Sequence, residues 1–449
     1  MTPATGSQHQ DAAATAHPSA TTDRPSSQGE RALARRVLAS AQAALSGEHR
    51  VEFALSGDPP SGAASARVVF RSPGALGRAL WPPTADALGD AYLRGDFEIE
   101  GDIAAVARAG TSFDLSRLGW VARLALACRV LTLRRQAEAS PPILRRARLH
   151  GRRHSVGRDR AAVRFHYDVG NRFYALWLDR SMTYSCAYFA SPQTDLDGAQ
   201  RAKLDLVCRK LALRPGDRLL DIGSGWGSLI AHATEHYAVT ALGVTLSEAQ
   251  ARYTNDQAAE QGLADRCVAR VLDYRELRAL GTFDAVASIG MFEHVGRANL
   301  PDYFAAAYRA LRPGGLFLNH GIAETAPAAW RLPLPHLGTD FVGAHVFPDG
   351  ELVTVPAASA AARRAGFELI DLQSLRPHYA LTLAAWLRRL EAAREVAIAE
   401  AGEEVYRTWR LYLAGAQMAF ERGELDVAQL LLARPGPGAP AERALRPWW

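Results

Sequence analysis

Short apolar runs alternate with longer amphipathic stretches through the second half of the chain. The runs have the length of buried strands and lie at residues 218–222, 239–244, 267–272, 283–289 and 316–320. Stretches with a helical period separate them, notably residues 300–311. This alternation predicts a mostly parallel sheet covered by helices on both faces, with a ligand beyond the carboxyl ends of the strands.

The first half has a different pattern, which predicts a small α+β domain. Helical periods occur at residues 30–45, 85–93 and 103–109, strand-like runs at 51–55 and 66–70, and a strand or tight return at 95–102. The last segment carries alternating carboxylates, and we expect a solvated face there rather than a metal site. These carboxylates are Asp96, Glu98, Glu100 and Asp102.

Composition and pattern together divide the chain into five parts. Residues 1–29 contain almost no large apolar side chain and are predicted to form a disordered tail. The α+β domain then takes residues 30–114, a basic linker 115–160, the α/β domain 161–432 and a tail 433–449. With 449 residues, of which 48% are hydrophobic, the chain is long enough for more than one core.

The cysteines and the longest apolar runs indicate the compartment. Four cysteines form no Cys-x-x-Cys pair and no disulfide-like framework, which favours a reducing, cytosolic setting. We see no signal-peptide pattern and no apolar run of the roughly 18 residues that a membrane span needs. Any membrane contact is therefore expected to be peripheral.

The net charge of +5 is concentrated in one basic stretch, residues 115–164. Its arginines include Arg123, Arg129, Arg134, Arg135, Arg145, Arg146, Arg148, Arg152, Arg153, Arg158, Arg160 and Arg164, against Glu138 and Asp159 as acids. Three interpretations compete: a segment that meets anionic phospholipid headgroups, a nucleic-acid site, or an ordinary solvated linker. The chain shows no known nucleic-acid module, which counts against the second.

The first strand of the α/β domain leads into a glycine turn. Asp221, Gly223, Gly225 and Gly227 form an Asp-x-Gly-x-Gly-x-Gly pattern, followed by a predicted helix. Glycines let a ligand approach the backbone, and an acidic residue before the turn suits a cationic ligand better than a pyrophosphate. The pattern favours S-adenosylmethionine (SAM) over a dinucleotide, with a ligand-free tight turn as the alternative.

Further motifs accompany this turn in order. They are residues 165–171 (Phe-His-Tyr-Asp-Val-Gly-Asn), 183–189 (Thr-Tyr-Ser-Cys-Ala-Tyr-Phe), 220–227, 243–247, 288–296 (Ser-Ile-Gly-Met-Phe-Glu-His-Val-Gly), 347–350 and 376–386. Over residues 161 to about 430 the chain resembles class I SAM-dependent methyltransferases, specifically the cyclopropane-fatty-acyl-phospholipid synthases and mycolic acid cyclopropane synthases. The small N-terminal domain resembles the one found in the bacterial phospholipid enzymes and absent from the mycolic acid enzymes.

The resemblance implies a Rossmann-like α/β catalytic domain, no metal ion, and a SAM site built from the ends of several strands. The implied SAM residues are Tyr184, Ser185, Asp221, Gly223, Gly225, Trp226, Gly227, Thr245, Leu246, Gln250, Asp273, Tyr274, Arg275 and Ile289. The chain departs from the usual family pattern at Ser224 and at Ala416, where many members carry cysteine. We expect neither departure to abolish activity.

The resemblance also implies the reaction and its base. The π electrons of an unactivated cis double bond attack the SAM methyl group and leave a carbocation, which must lose a proton to close a ring. The implied base is a bicarbonate ion held by Cys186, Glu293, His320 and Tyr379, with help from the backbone near Ile322. A buried Glu293 beside an anion requires either a shared proton or a charged His320. The rings of Phe189, Phe292 and Tyr308 are further candidates for stabilising the cation.

The predicted function is therefore cyclopropane-fatty-acyl-phospholipid synthase. Unsaturated phospholipid acyl chains are the predicted substrate. We expect a cytoplasmic enzyme in peripheral contact with the inner, anionic membrane face, without nucleic acid, and the family resemblance suggests a homodimer. A hydride shift from the same cation gives methylene or 10-methyl branched chains, and these motifs do not separate the two outcomes. Methylation of a small molecule and a non-catalytic lipid-binding protein are two further hypotheses.

Overall fold

The structure, a computed structural model, describes residues 27–45, 50–62, 64–139, 142–325, 339–438 and 447–449. Most of the predicted tail at residues 1–29 lies outside the described residues. Helix α1 (Gln28–Ala44) begins within it, because Ser27 and Glu30 form a reciprocal capping box. The other domain bounds stay predictions.

The N-terminal unit is a three-stranded sheet with helices packed around it. After α1 come β1 (Val51–Leu55), β2 (Ala66–Phe70), α2 (Pro73–Ala79), α3 (Ala85–Leu93), β3 (Phe97–Gly101), α4 (Ile103–Gly110) and α5 (Trp120–Arg135). β1 and β2 run parallel, and β3 is antiparallel to β2. The predicted α+β architecture is confirmed.

The expected solvated acidic face is wrong for Asp96. Its side chain is completely buried, and Arg78 and Arg94 pair with its two oxygens at 2.6 and 3.3 Å. Glu98 and Glu100 also pair with arginines, Arg407 and Arg67 respectively. Strand alternation failed at Asp96, which Arg78 and Arg94 enclose, whereas the other three carboxylates keep about half of their side-chain surface exposed, as expected of a solvated face.

The larger unit is a doubly covered α/β sheet. Its elements are α6 (Val156–Tyr167), α7 (Asn171–Ala175), α8 (Leu196–Lys210), β4 (Arg218–Ile222), α9 (Ser228–Tyr237), β5 (Thr240–Thr245), α10 (Glu248–Glu260), β6 (Cys267–Val271), β7 (Phe283–Ile289), α11 (Leu300–Ala310), β8 (Leu311–Glu324), α12 (Thr339–His345), β9 (Val353–Thr354), α13 (Val355–Arg364), β10 (Glu368–Ser374), α14 (Arg376–Ala392), α15 (Arg394–Ala401), α16 (Glu403–Glu421) and β11 (Leu425–Ala433). The strand order is β10-β11-β8-β7-β4-β5-β6, with β9 beside β8.

The five predicted strands correspond to β4 through β8, and the parallel pairing among them is confirmed. Strands β10 and β11 extend the sheet in the antiparallel sense and were not predicted. On β4, Leu219 packs with α8 and α9, whereas Leu220 and Ile222 pack with α11 and α13. Because neighbouring side chains point to opposite faces, this one strand contributes to both layers.

The stretch predicted as a basic linker contains a helix that packs on the N-terminal unit. Val130 and Leu133 of α5 are buried, and a Cβ added at Gly74 of α2 would lie 2.9 Å from the Ala137 backbone. None of the helices described is long and apolar enough to cross a membrane.

Two buried arginines of α16 join the units. The Arg410 guanidinium donates to the Tyr92 hydroxyl at 3.1 Å and to the carbonyl oxygens of Ile99 and Gly101 at 3.0 and 3.2 Å. Arg407 donates to the carbonyl oxygen of Tyr92 at 3.0 Å. The edge of β3 is therefore hydrogen-bonded to a helix of the larger unit.

Replacement of Arg410 by Met should lower the apparent free energy of unfolding by about 3 kcal/mol, because several buried acceptors lose their donor. Urea denaturation followed by tryptophan fluorescence measures this. Arg312→Met is the control, since Arg312 is half exposed and pairs with Asp284 at the surface, and its loss should cost less than about 1 kcal/mol. Equal effects of the two variants would contradict this account of the junction.

Candidate active site

The glycine turn after β4 is closely packed. Gly223 and Gly227 have φ angles of 82°, in the left-handed region that favours glycine. A Cβ added at Gly223 would lie 2.7 Å from Met291, and one added at Gly243 of β5 would lie 2.5 Å from Ser224 Oγ. The turn therefore depends on glycine for both its conformation and the approach of neighbouring segments.

Buried polar atoms without a protein partner surround this turn. Asp221 Oδ1, Ser224 Oγ and Gln250 Nε2 are all of this kind. Thr245 donates to Gln250 Oε1 at 2.8 Å, which orients the amide and leaves its NH2 group for another acceptor. Burial raises the pKa of Asp221 to about 7, while the charge of Lys203 opposes the rise. These unpaired donors and acceptors, placed at the carboxyl ends of β4 and β5, fit a polar ligand such as SAM.

Helix α8 holds the segment with Tyr184 and Ser185. Gln200 Nε2 donates to the Ser185 carbonyl oxygen at 2.8 Å, and Lys203 Nζ donates to Ser185 Oγ at 2.9 Å. Both α8 side chains are buried, and burial lowers the pKa of Lys203 to about 8. The sequence pattern indicated neither residue as part of the site, since a lysine within an amphipathic helix ordinarily faces solvent.

The segment after β6 forms an ion-paired corner. Arg275 pairs with Asp273 and with Asp159, each at 2.7 Å, and its guanidinium lies 5.0 Å from the centre of the Tyr274 ring. Tyr274 also meets Tyr303 edge-on. Because two carboxylates engage the Arg275 side chain, contact of this segment with a ligand remains a prediction.

The remaining predicted SAM residues lie at strand ends or in the ring cluster described below. Leu246 and Ile289 are half-buried, at the ends of β5 and β7. Trp226 is buried in the glycine turn, and its indole N–H donates to Asn171 at 2.8 Å.

Glu293 is a buried carboxyl group with one free oxygen. It follows β7, and its Oε1 accepts a hydrogen bond from the Ile322 amide of β8 at 2.6 Å. Its Oε2 has no protein partner. Burial raises the pKa of Glu293 to about 7, because desolvation disfavours the charged form.

His320 is neutral. Burial lowers its pKa to about 3, and its Nδ1 lies 3.2 Å from the side-chain nitrogen of Gln429 on β11. Of the two arrangements that could place a buried Glu293 beside an anion, burial therefore disfavours the one with a charged His320. A proton held at Glu293 is the arrangement that burial favours.

A chain of contacts links Cys186 and Tyr379 to the same strand ends. Cys186 Sγ lies 3.8 Å from the Leu375 carbonyl oxygen, which also accepts from the Tyr379 amide at 3.0 Å. The Leu375 amide donates to Val427 of β11 at 2.7 Å, and Val427 pairs with Ile322 of β8. Burial raises the pKa of both the Cys186 thiol and the Tyr379 hydroxyl, so both keep their protons at neutral pH.

A cluster of aromatic rings packs around Tyr184. The centroid of the Tyr184 ring lies 5.2 Å from that of Trp386 and 5.5 Å from that of His166. The ring centroids of Tyr174 and Trp226 are 4.9 Å apart. We call this the ring cluster; it comprises His166, Tyr167, Tyr174, Trp177, Tyr184, Trp226, Phe347, Trp386, Trp409 and Tyr412. Tyr379 meets it through Trp386 at 6.0 Å.

Most of the ring cluster escaped the sequence analysis, because its members come from distant segments. Of the rings proposed there, Tyr308 packs on Phe367 at 5.1 Å, outside the ring cluster. Phe292 lies against Gly321, and the Phe189 amide bonds to His378. Tyr308 therefore lies outside the ring cluster, and its role as a cation-stabilising ring stays a prediction.

Comparison with known proteins supports one family. Residues 154–430 match the family model described as mycolic acid cyclopropane synthetase. A probable fatty acid methyltransferase of Pseudomonas putida is 40% identical over 82% of this chain and 87% of its own length. A probable fatty acid methyltransferase of Mycobacterium tuberculosis is 39% identical over 70% of this chain and 71% of its own length.

Solved structures agree with this assignment. The cyclopropane synthase MmaA2 from Mycobacterium tuberculosis is 37% identical, with a TM-score of 0.57 over 61% of this chain and 98% of that one. The mycolic acid cyclopropane synthase CmaA1, solved in complex with SAH and CTAB, is also 37% identical, with a TM-score of 0.57 over 61% of this chain and 97% of its own. The chain therefore belongs to the mycolic acid cyclopropane synthetase family and is a SAM-dependent methyltransferase of class I fold.

Proposed function

We propose that the protein transfers a one-carbon unit from SAM to the cis double bond of an unsaturated phospholipid acyl chain. We further propose that a bicarbonate ion, bound at Cys186, Glu293, His320 and Tyr379, removes the proton that allows a cyclopropane ring to close. The main support is Glu293 Oε2, a buried oxygen without a protein partner, at the strand ends that also carry His320.

The ring cluster suits the proposed chemistry. An alkene is a weak nucleophile, and its attack on the SAM methyl group leaves a positive charge on the acyl chain. Aromatic faces stabilise such a charge without trapping it as a strong nucleophile would. Dense packing of rings also excludes water, which otherwise captures a carbocation.

The protonation states of the pocket suit an anion. At neutral pH a substantial fraction of Glu293 keeps its proton, so that its carboxyl group can donate to a bound anion instead of repelling it. The Cys186 thiol and Tyr379 hydroxyl are protonated, and neutral His320 still carries one N–H. The four side chains therefore present several donors and little negative charge.

The methyl-branching alternative has support of its own. The two fatty acid methyltransferase relatives match 82% and 70% of this chain, whereas MmaA2 covers 61%. Similarity beyond the catalytic domain thus connects this protein to relatives whose names specify methylation. A non-catalytic lipid-binding role does not fit a SAM-dependent methyltransferase with these unpaired polar atoms.

Glu293→Gln should lower turnover at least about a hundredfold, whereas its affinity for SAM should stay within about twofold of the wild-type affinity. Isothermal titration and a lipid methylation assay measure the two quantities, and Glu235→Gln on the surface of α9 is the control. Wild-type turnover should also fall in CO2-free buffer and recover when bicarbonate is added. A fully active Glu293→Gln variant would contradict the assignment of Glu293, and turnover indifferent to bicarbonate would contradict the proposed base.

The raised pKa of Glu293 also predicts a pH dependence of stability. The unfolded chain releases this proton near pH 4.5, whereas the folded protein holds it until about pH 7. The stability of wild type relative to Glu293→Gln should therefore fall by about 3 kcal/mol as pH rises from 4 to 8. Urea unfolding at several pH values tests this, and a pH-independent difference would show that Glu293 is not desolvated.

The mass and the proton NMR spectrum of the product should distinguish a cyclopropane ring from a methylene or methyl branch. The protein is expressed in cells rich in cis-unsaturated lipids, and their fatty acids are analysed by mass spectrometry and proton NMR. We expect a gain of one CH2 with upfield ring protons, as a cyclopropane requires. Olefinic methylene protons at the same mass, or a further gain of two hydrogens, would favour the branching alternative.

A further inference from the structure

Helix α5 has an apolar face that no described residue covers. Val130 and Leu133 pack inward on the N-terminal unit, but Trp120, Val121 and Leu124 are 74%, 59% and 60% exposed. Each residue turns a helix by about 100°, so Val121 and Leu124 lie on the side opposite Val130 and Leu133, and Trp120 lies next to them. The helix therefore presents a second apolar face to solvent.

The charges of α5 match this exposed face. Arg123 and Arg134 lie on one flank, Arg129 lies on the other, and Arg135 lies near its C-terminal end, by the same helical spacing. The helix sequence contains no acidic residue. None of these four arginines forms an ion pair within the described part of the chain. An apolar strip with a tryptophan and flanking arginines is typical of a helix that lies in the headgroup region of an anionic bilayer.

Three arginines further along the basic stretch are engaged with other parts of the chain. Arg158 pairs with Asp349 at 2.5 Å, and Arg164 pairs with Glu248 at 3.4 Å. Arg145 is largely buried, stacks on Phe165 at 4.5 Å and bonds to its carbonyl oxygen. These three arginines are therefore not free to contact lipid headgroups, whereas the exposed arginines of α5 meet that expectation.

The segment that leads into α5 is connected to the end of β8 through the residues after α16. Thr111 accepts a hydrogen bond from Arg422 at 3.1 Å, just after the end of α16. The neighbouring Gly423 carbonyl oxygen accepts from Thr325 at 2.6 Å, and Thr325 directly follows β8. The carboxyl end of β8, the strand that carries His320 and Ile322, is thus connected by two hydrogen bonds to Thr111, nine residues before α5 begins.

We propose that the exposed face of α5 docks on an anionic lipid bilayer. Trp120, Val121 and Leu124 enter the boundary between headgroups and acyl chains, and the flanking arginines contact lipid phosphates. This inference rests on the proposed function, since docking on a bilayer would bring the enzyme to its phospholipid substrate. A second copy of this chain is the competing occupant, and the measurements that follow distinguish the two.

The test compares two double variants with the same change in charge. Val121→Glu/Leu124→Glu alters the face of α5, and Leu372→Glu/Val396→Glu alters two comparably exposed apolar residues on β10 and α15. Binding to vesicles of phosphatidylglycerol and phosphatidylcholine is measured by co-sedimentation. The α5 variant should bind at least about tenfold more weakly than wild type and the control variant. Equal binding by all three proteins would overturn the proposal.

Cys128 supplies a second readout on the unmodified helix. It lies on the same face, one turn beyond Leu124, and it is exposed whereas Cys186, Cys208 and Cys267 are buried. An environment-sensitive fluorophore attached to Cys128 should shift to the blue and brighten with anionic vesicles, and it should not respond to vesicles of phosphatidylcholine alone. An unchanged spectrum with bound vesicles would overturn insertion of this face.

Two measurements separate bilayer docking from a defect in catalysis and from self-association. The α5 variant should keep its affinity for SAM and its turnover of a detergent-dispersed unsaturated lipid, while losing turnover on vesicles. Loss of turnover on vesicles alone identifies a docking defect, whereas a wild-type protein inactive on every lipid would contradict the proposed function. Light scattering reports the oligomeric state, and conversion of an oligomer to monomers by the α5 variant would assign this face to a second copy.

Discussion

The hydrogen bond from the Ile322 amide to Glu293 joins the turn after β7 to the end of β8. It satisfies one oxygen of a carboxyl group that burial has removed from water and leaves the other oxygen for a ligand. The same burial keeps Glu293 partly protonated and His320 neutral, because each charged form would lose its hydration. Desolvation at these strand ends therefore keeps the side chains around the proposed anion site in protonated, hydrogen-donating forms. A positively charged His320 is not needed.

Helix α16 connects this site to the N-terminal unit. Arg407 and Arg410 bond to the edge of the small sheet, whereas Trp409 and Tyr412 belong to the ring cluster. Residues three apart share a face of a helix, and at about 100° per residue the two pairs lie on opposite faces of α16. The same helix therefore packs in the ring cluster on one side and bonds to the N-terminal unit on the other. The two units therefore act as one framework for the site.

The basic stretch shows how tertiary contacts sort residues of one type. Arg158 and Arg164 pair with carboxylates of the catalytic unit, and Arg145 turns inward. The arginines of α5 keep solvent contact beside an exposed tryptophan. Composition predicted a positively charged stretch, with contact to lipid headgroups as one interpretation. It did not distinguish the arginines that pair within the protein from those that stay exposed. The distribution of charge along the sequence does not reveal which carboxylates of the folded protein contact the basic stretch.

Local pattern was sufficient to predict the parallel α/β core, the glycine turn and the motifs that indicate the family. Strands β4 and β7 have the predicted bounds, because turn residues delimit their short apolar runs. Strand β11 was missed because Leu425–Ala433 is rich in leucine and alanine, and its pairing with β8 and β10 makes it a strand. The burial of Asp96, the raised pKa of Glu293, the ring cluster and the uncovered face of α5 follow only from the folded chain. Each of these depends on which distant segments exclude water from a side chain, and local sequence pattern does not contain that information.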